Sequence, residues 1–496
     1  MLQWNCSLQL FLAYVTYTRG CGKWHYCGWQ QVNLQGEGGI MYKGKKAIGV
    51  CTAELDEKYR TKLLGYVLKE LIKRGDYVFV FGTDSDMFLM NDSDYGDASI
   101  FELINYDLLD GIVLFSDTVK QGSFIDDIVH QANGHEVPVV SVGKEIGGCY
   151  NVVYDSEAAF EVIVRHVVEY HEAREVNFIS GPQGNEIADR RLEIYKRVLD
   201  ENGIPFEECR VGYGDFWVDP TVEVMDEFME PTRVPPEAII CANDSMAVAV
   251  CDYLNERDIC VPDEIMVTGI DGIDEGVRHF PGITTCARDE INDSKKIADV
   301  IQHVCTGKPA DRLTILEYHL RLSQSCGCQR NHLFDCSRLI MGLNWDMASY
   351  HSNIRYYAKM SEAFLNCKDD NAFKKILFEY MPEGSFICIN SDLGIGKKMP
   401  KNHFYRDNAF TSKMKSFTKL NGNITVEDCP VKNIIPEAGM EVSDDMPVVL
   451  LPLHFGENVT GYMGLWIDMG HKMDMNNIIY FLRSFDNSAG YRMAYF

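Results

Sequence analysis

A chain of 496 residues with 46% hydrophobic and 24% charged content has room for roughly two to four globular domains. Its 47 basic and 73 acidic side chains leave a formal charge of -26, which repels phosphate backbones and anionic membranes, so a hold on nucleic acid would need a dedicated basic element. The 17 cysteines are odd in number and several fall inside apolar runs, the usage of a reducing cytoplasm, while no apolar run reaches the length of about 18 residues that crosses a membrane.

Residues 1–40 differ from the rest in carrying Trp4, Trp24 and Trp29 together with Cys6, Cys21 and Cys27. Leu8 to Tyr17 is apolar, but without a basic flank or a small-residue cleavage site it does not make a secretory signal. The cysteines have no partner pair at finger-like distance. The segment is therefore expected to be a non-native or disordered extension, with the natural start at Met41.

From Lys46 onward, strands and helices are expected to alternate. Ala47 to Thr52 reads as a strand, Asp56 to Arg74 as a helix closed by Gly75, and Tyr77 to Gly82, Gly111 to Phe115 and Pro138 to Gly143 as further strands. Asp155 can cap a helix over Glu157 to Tyr170. Val176 to Ser180 opens a second series, followed by a helix that carries Arg191 and by Gly214-Asp215-Phe216. Ala238 to Ala242, the turn Asn243-Asp244, the helix Ser245 to Glu256 and the strand Ile265 to Ile270 form one βαβ unit, ending at Gly269-Ile270-Asp271-Gly272. Continuous apolar strands of this kind belong to parallel sheets covered on both faces, and ligands bind outside their carboxyl ends. Asn243, Asp244 and Asp271 are thus expected on one rim, with Asp244 as the helix cap and Asp271 as a ligand contact.

The runs CANDSMA, VPDEIMVTGIDG and PGITT, in that order and spacing, resemble the sensor core of lactose-repressor-type (LacI/GalR) transcription regulators over roughly residues 46–330. That resemblance implies an α/β, two-lobed, periplasmic-binding-protein-like (type I) core for residues 41–330 that closes on a small polar ligand such as a sugar or nucleobase. It also implies that Arg191, Phe216 (or its neighbour Trp217) and, in the first lobe, Tyr59 line the cleft beside Asn243 and Asp271. The family places a glycine three residues after this arginine; Ile194 stands there, and a surface arginine paired with Glu186 or Glu193 is an equal alternative. The family's helix-turn-helix headpiece has no counterpart between Met1 and Lys46, so DNA is expected to be reached only through an output element not visible in this chain.

Cys326-Gly327-Cys328 has no matching partner pair in the sequence, so no metal is expected, and no cofactor motif occurs. Ser337 to Phe364 reads as a long helix with Leu339, Leu343, Met347, Tyr350, Ile354 and Tyr357 on one stripe, forming a stalk over 331–368 between domains. Residues 369–473 read as a smaller α/β unit whose PLHFGENVTGYMGLW hairpin resembles that of GAF-type sensory domains, and 474–496 as a signalling helix with Ile478, Leu482, Phe485 and Ala489 on one face. Those two stripes call for a packed neighbour or a second copy, so a homodimer is expected. Catalytic signatures (Gly-x-Ser-x-Gly, phosphate loop, His-Glu-x-x-His, cyclase) do not occur, which points away from an enzyme. The functional expectation is a ligand-gated transcription or signalling regulator; the alternative is the sensory portion of a signalling enzyme such as a diguanylate cyclase.

Overall fold

A computed structural model describes residues 45–55, 58–88, 90–329, 336–393, 403–440, 442, 445–469 and 476–490; the expectation for residues 1–40 lies outside them. The first lobe is built from β1 (Ala47–Thr52), α1 (Lys58–Lys73), β2 (Tyr77–Gly82), α2 (Asp92–Ala98), β3 (Gly111–Phe115), α3 (Gly122–Gly134), β4 (Val139–Val142) and β5 (Tyr150–Tyr154). Its strands are parallel in the order β5-β4-β3-β1-β2, and every residue of β1, β2, β3 and β4 is buried. This is the continuous apolar pattern that a doubly covered sheet demands. Gly75, at φ +90°, closes α1 as expected.

The second lobe begins with α4 (Ser156–Arg165), capped by Asp155, whose Oδ1 accepts the Ala158 N–H at 2.9 Å. The expected helix to Tyr170 is not uniform: from His166 to Tyr170 it widens into a π-turn. There follow β6 (Val176–Ser180), α5 (Glu186–Glu201), β7 (Val211–Tyr213), α6 (Val218–Phe228), β8 (Ala238–Cys241), α7 (Asp244–Asn255), β9 (Met266–Thr268), α8 (Asp274–Arg278) and β10 (Thr285–Arg288). β7-β6-β8-β9 form a parallel sheet, and bridges at Thr268–Thr284 and Asp271–Ala287 align β10 beside β9. α9 (Glu290–Cys305) returns to the first lobe and packs on α1, β11 (Leu313–Leu316) pairs with β5, and β12 (Tyr318–Arg321) pairs with β10 in the second lobe.

The chain therefore crosses between lobes three times, after β5, after β10 and after β11. Since β5 and β10 each leave their lobe at a carboxyl end, the carboxyl ends of both parallel sheets face the crossovers.

α10 (Cys336–Leu365) is the expected long helix, followed by α11 (Asp370–Tyr380), β13 (Ser385–Asn390), β14 (Lys413–Leu420), β15 (Asn423–Pro430), β16 (Val448–Phe455), β17 (Asn458–Trp466) and α12 (Asn476–Phe485). β14 and β15 were not expected from the sequence. The stalk is corrected. β16 pairs in parallel with β2 (Val448↔Phe79, Leu450↔Phe81), so the carboxy-terminal antiparallel sheet and the first lobe make one eleven-stranded sheet rather than two bodies held apart. Met360 and Phe364 of α10 are buried with Ile478, Leu482 and Phe485 of α12 in the core shared with the first lobe. The α12 stripe thus finds its neighbour within the chain.

Candidate ligand-binding site

Four loops at the carboxyl ends of the second-lobe strands make the site. The β7 loop carries Asp215 and Phe216, both in the left-handed region (φ +53° and +65°). The Phe216 ring lies against the backbone of Gly181 at the end of β6, where an added Cβ would fall 2.2 Å from the ring; only glycine allows that approach. Trp217 beside it is 73% exposed.

At the β8–α7 junction the expectation is corrected. Asn243, not Asp244, is the helix cap: its Oδ1 accepts the Met246 N–H at 2.8 Å, while its Nδ2 donates to the Phe216 carbonyl at 3.1 Å. Asn243 thereby ties the cap of α7 to the Phe216 loop. Asp244 is the first helical residue and fully buried, and its Oδ2 accepts the N–H groups of Gly272 (2.7 Å) and Ile273 (3.0 Å). Those two bonds hold the loop after β9, in which Asp271 stands at φ +124° with its own N–H donated to Cys286. Asp244 is therefore a positioning residue for Asp271. Burial first, and then the charge of Asp271, push the Asp244 carboxyl up to about 7 against the opposing bonds from Thr285, Ile273 and Gly272.

Arg191 is settled by the structure on the inward side. It is buried on α5 and its Nη1 donates to the Ala242 carbonyl, whereas its neighbour Arg190 takes the surface pairs with Glu186 (3.1 Å) and Glu157 (3.0 Å). Arg191 Nε and the Ser180 hydroxyl are buried without a hydrogen-bond partner, the state in which a polar ligand is favoured. Tyr59 stands in the first turn of α1; its side chain lies outside the described residues.

Sequence reasoning missed the contact that ties the three crossovers together. Each crossover supplies one residue to a stacked pin: the Arg288 guanidinium lies 4.2 Å from the Tyr154 ring and 5.7 Å from the Tyr318 ring, and donates to the Tyr318 hydroxyl at 3.2 Å. Tyr154 also donates to Asp293 at 3.1 Å, and burial pushes both phenols up, keeping them neutral. The only available signal was that Arg288 follows the PGITT run. The metal expectation is corrected in one respect: Cys326 and Cys328 do have partners in space, His166 and His171, with all four ligand atoms within 4.8 Å of one another.

A buried guanidinium, a carboxylate and an aromatic ring at one set of strand ends can hold a small molecule with hydroxyl or carboxylate groups and a flat face. Residues 164–326 match the family described as periplasmic binding protein-like domain. The chain is 27% identical over 147 residues to the HTH-type transcriptional repressor PurR of Vibrio atlanticus (strain LGP32), covering 30% of this chain and 43% of that protein. It is 26% identical over 197 residues to the probable HTH-type transcriptional repressor ExuR of Bacillus subtilis (strain 168), covering 38% and 57%, and 26% identical over 190 residues to the catabolite control protein A of Priestia megaterium, covering 37% and 55%. The chain thus spans about half the length of these relatives. Family match and topology agree that the core is α/β and periplasmic-binding-protein-like, with two lobes and three crossovers. Among the described residues no helix is long and apolar enough to cross a membrane.

Proposed function

We propose that this chain is the sensing part of a regulatory protein, acting in transcription or signalling without catalysis, and that its two lobes close on one small polar ligand, a sugar or a nucleobase-like molecule. The observation that carries this reading is the convergence of Arg191, Phe216 and Asp271 at strand ends that face the crossovers, with Asn243 and Asp244 fixing their loops. A ligand bound there shifts the equilibrium by its preference for the closed form, and the three crossovers with their Tyr154–Arg288–Tyr318 pin are the hinge. The names of the relatives, all regulators, support a regulatory role; the acidic charge of -26 supports DNA contact only through another element.

Calorimetry against sugars, sugar acids and nucleobases tests the reading. Asp271→Ala should remove a charge-assisted hydrogen bond of about 1.5–3 kcal/mol, about tenfold to more than a hundredfold in affinity for whichever compound binds. Unchanged affinity in that variant would remove Asp271 from the site.

The chain is further proposed to act as a homodimer through α10, where Ile340, Met341, Leu343, Met347 and Ile354 are all exposed. Ile340, Leu343, Met347 and Ile354 recur at three-, four- and seven-residue steps and make one apolar stripe, which a second copy would cover across a two-fold axis. Light scattering should report a dimer for the wild type and a monomer for Leu343→Glu/Met347→Glu; a double variant that stays dimeric places the interface elsewhere. The unit of β13–β17 is proposed as a GAF-like module on the strength of its β16–β17 hairpin, joined through Gly456 and Glu457.

A further inference from the structure

The cluster at the end of α4 lies outside the ligand site, and nothing in the proposed sensing function uses it. His166 opens the π-turn and His171 directly follows it; Cys326 and Cys328 come from the segment that leaves β12 for α10. His166 Nε2 lies 3.2 Å from His171 Nε2, 3.5 Å from Cys326 Sγ and 3.6 Å from Cys328 Sγ, and Cys328 Sγ lies 3.3 Å from His171 Nε2. A hydrogen-bond network does not account for this. One imidazole Nε2 has a single lone pair or a single proton, yet His166 Nε2 has three polar neighbours at contact distance.

A tetrahedral ion does account for it. With zinc–nitrogen bonds of about 2.0–2.1 Å and zinc–sulfur bonds of about 2.3 Å, the edges of the tetrahedron are about 3.3 Å between nitrogens and about 3.6 Å between nitrogen and sulfur. The four distances fall within about 0.3 Å of those edges. We propose that His166, His171, Cys326 and Cys328 bind one zinc ion in a closed, structural Cys2His2 site.

Three further features fit. In a regular α-helix two residues five apart point about 140° away from each other; the π-turn, closed by the His171 N–H to His166 carbonyl bond at 3.1 Å, returns the second imidazole to the face of the first. Two thiolates neutralise a divalent ion, so the loaded site has no net charge to bury, which suits His166 and Cys326 at 8% and 2% exposure. The Thr284 hydroxyl donates to Cys326 Sγ at 3.0 Å, the outer contact that steadies a thiolate ligand. With four protein ligands no position is open for chemistry, and the ion's effect is mechanical: it clamps residues 323–329, where the chain leaves the second lobe for α10, to the end of α4. Binding replaces two S–H bonds with two S–Zn bonds and releases two protons.

The test uses the full chain, free of any polyhistidine tag. Elemental analysis should find about one zinc per chain, and exchange for cobalt should produce the intense visible bands of tetrahedral thiolate coordination. Cys326→Ser/Cys328→Ser should lose the metal to below about a tenth of an equivalent. Because that variant changes a buried residue, the wild type and the half-buried His171→Ala are also compared under a strong chelator: the wild type should lose thermal stability and His171→Ala should not respond. The proposal is overturned by less than about a tenth of an equivalent of zinc in wild type dialysed against micromolar zinc, by an octahedral cobalt spectrum, by a Cys326–Cys328 disulfide in place of metal, or by a folded double variant that keeps its zinc.

Discussion

Asp244→Asn should remove the loss of stability that this carboxyl imposes on the wild type as pH rises from about 4 to about 7. The folded carboxyl titrates at about 7 against an ordinary value of 3.8, so between those values the native state holds a proton that the unfolded chain has lost. A raised carboxylate contributes stability that is complete below its unfolded value and is lost as pH climbs through its folded one. At about 1.4 kcal/mol per pH unit the loss amounts to at most about 4 kcal/mol by pH 8. Asparagine keeps an oxygen for the Gly272 and Ile273 N–H groups and removes the charge that burial and Asp271 oppose. Urea titrations at several pH values should therefore show wild type and variant closest near pH 4 and the variant more stable at pH 8. Parallel pH profiles for the two proteins would show that Asp244 is not the group responsible.

How far such a site is legible beforehand depends on which kind of contact decides it. The rim of Asn243, Asp244 and Asp271 could be read because βαβ periodicity places strand ends, and strand ends place loops. Which of two adjacent side chains caps α7 could not: Asn and Asp are equal cap formers, and the choice was made by a contact 27 residues away, the Phe216 carbonyl that only the Asn243 amide can donate to. Arg191 was ambiguous for a similar reason. Its inward course became certain only when Arg190 was seen to occupy the surface partners. The β14–β15 hairpin, by contrast, carried a strong local signal that went unread: Asn421 and Gly422, at φ +51° and +70°, are the Asn-Gly pair of a tight turn between alternating strands. The His166–His171 pair had no legible pattern, since a five-residue step is wrong for one face of an α-helix and its partners lie some 160 residues on. Nor does any local feature mark β2 as the partner of β16, because pairing between sheet edges is written only in the assembled backbone.

That last pairing is where lobe movement can be passed on. A sheet continuous from β5 through β2 and β16 to β15 joins the first lobe to the carboxy-terminal unit, so the proposed lobe closure would be delivered to β13–β17 and to α10. The joint is fastened beside β16. His454 Nε2 donates to Asp97 (3.2 Å), its backbone N–H donates to Asp486 (3.0 Å), and Arg483 pairs with Asp84 (2.6 Å). Burial alone would push the His454 imidazole down, but Asp97 and Asp486 together outweigh it and hold it at about 9. The stabilisation from that charge is complete below the unfolded value of 6.5 and is lost as pH rises through about 9, so the joint should loosen in alkali.

Gly96→Val should open the same joint at neutral pH. A Cβ on Gly96 would fall 2.2 Å from His454 Nδ1 and 2.3 Å from the Gly456 carbonyl oxygen. The imidazole is pinned by its bonds to Asp97 and Gly456, and the carbonyl is backbone in the β16–β17 turn, so neither can give way without moving β16. Valine adds two further methyl groups to a position that has no room for one. The cost, at the upper end of the range for overpacking, is about 3 kcal/mol, or roughly a hundredfold fall in the docked population. Alanine, which gains about 1 kcal/mol in helix propensity over glycine, should still lose on balance and fall between the two. Hydrogen exchange followed by mass spectrometry would show it: amides of 448–450 and 79–81, the paired residues of β16 and β2, should exchange much faster in Gly96→Val, while those of β6 and β8 in the second lobe stay as protected as before. Unchanged exchange at 448–450 in a folded valine variant would show that the α2–β16 contact does not hold the two units together.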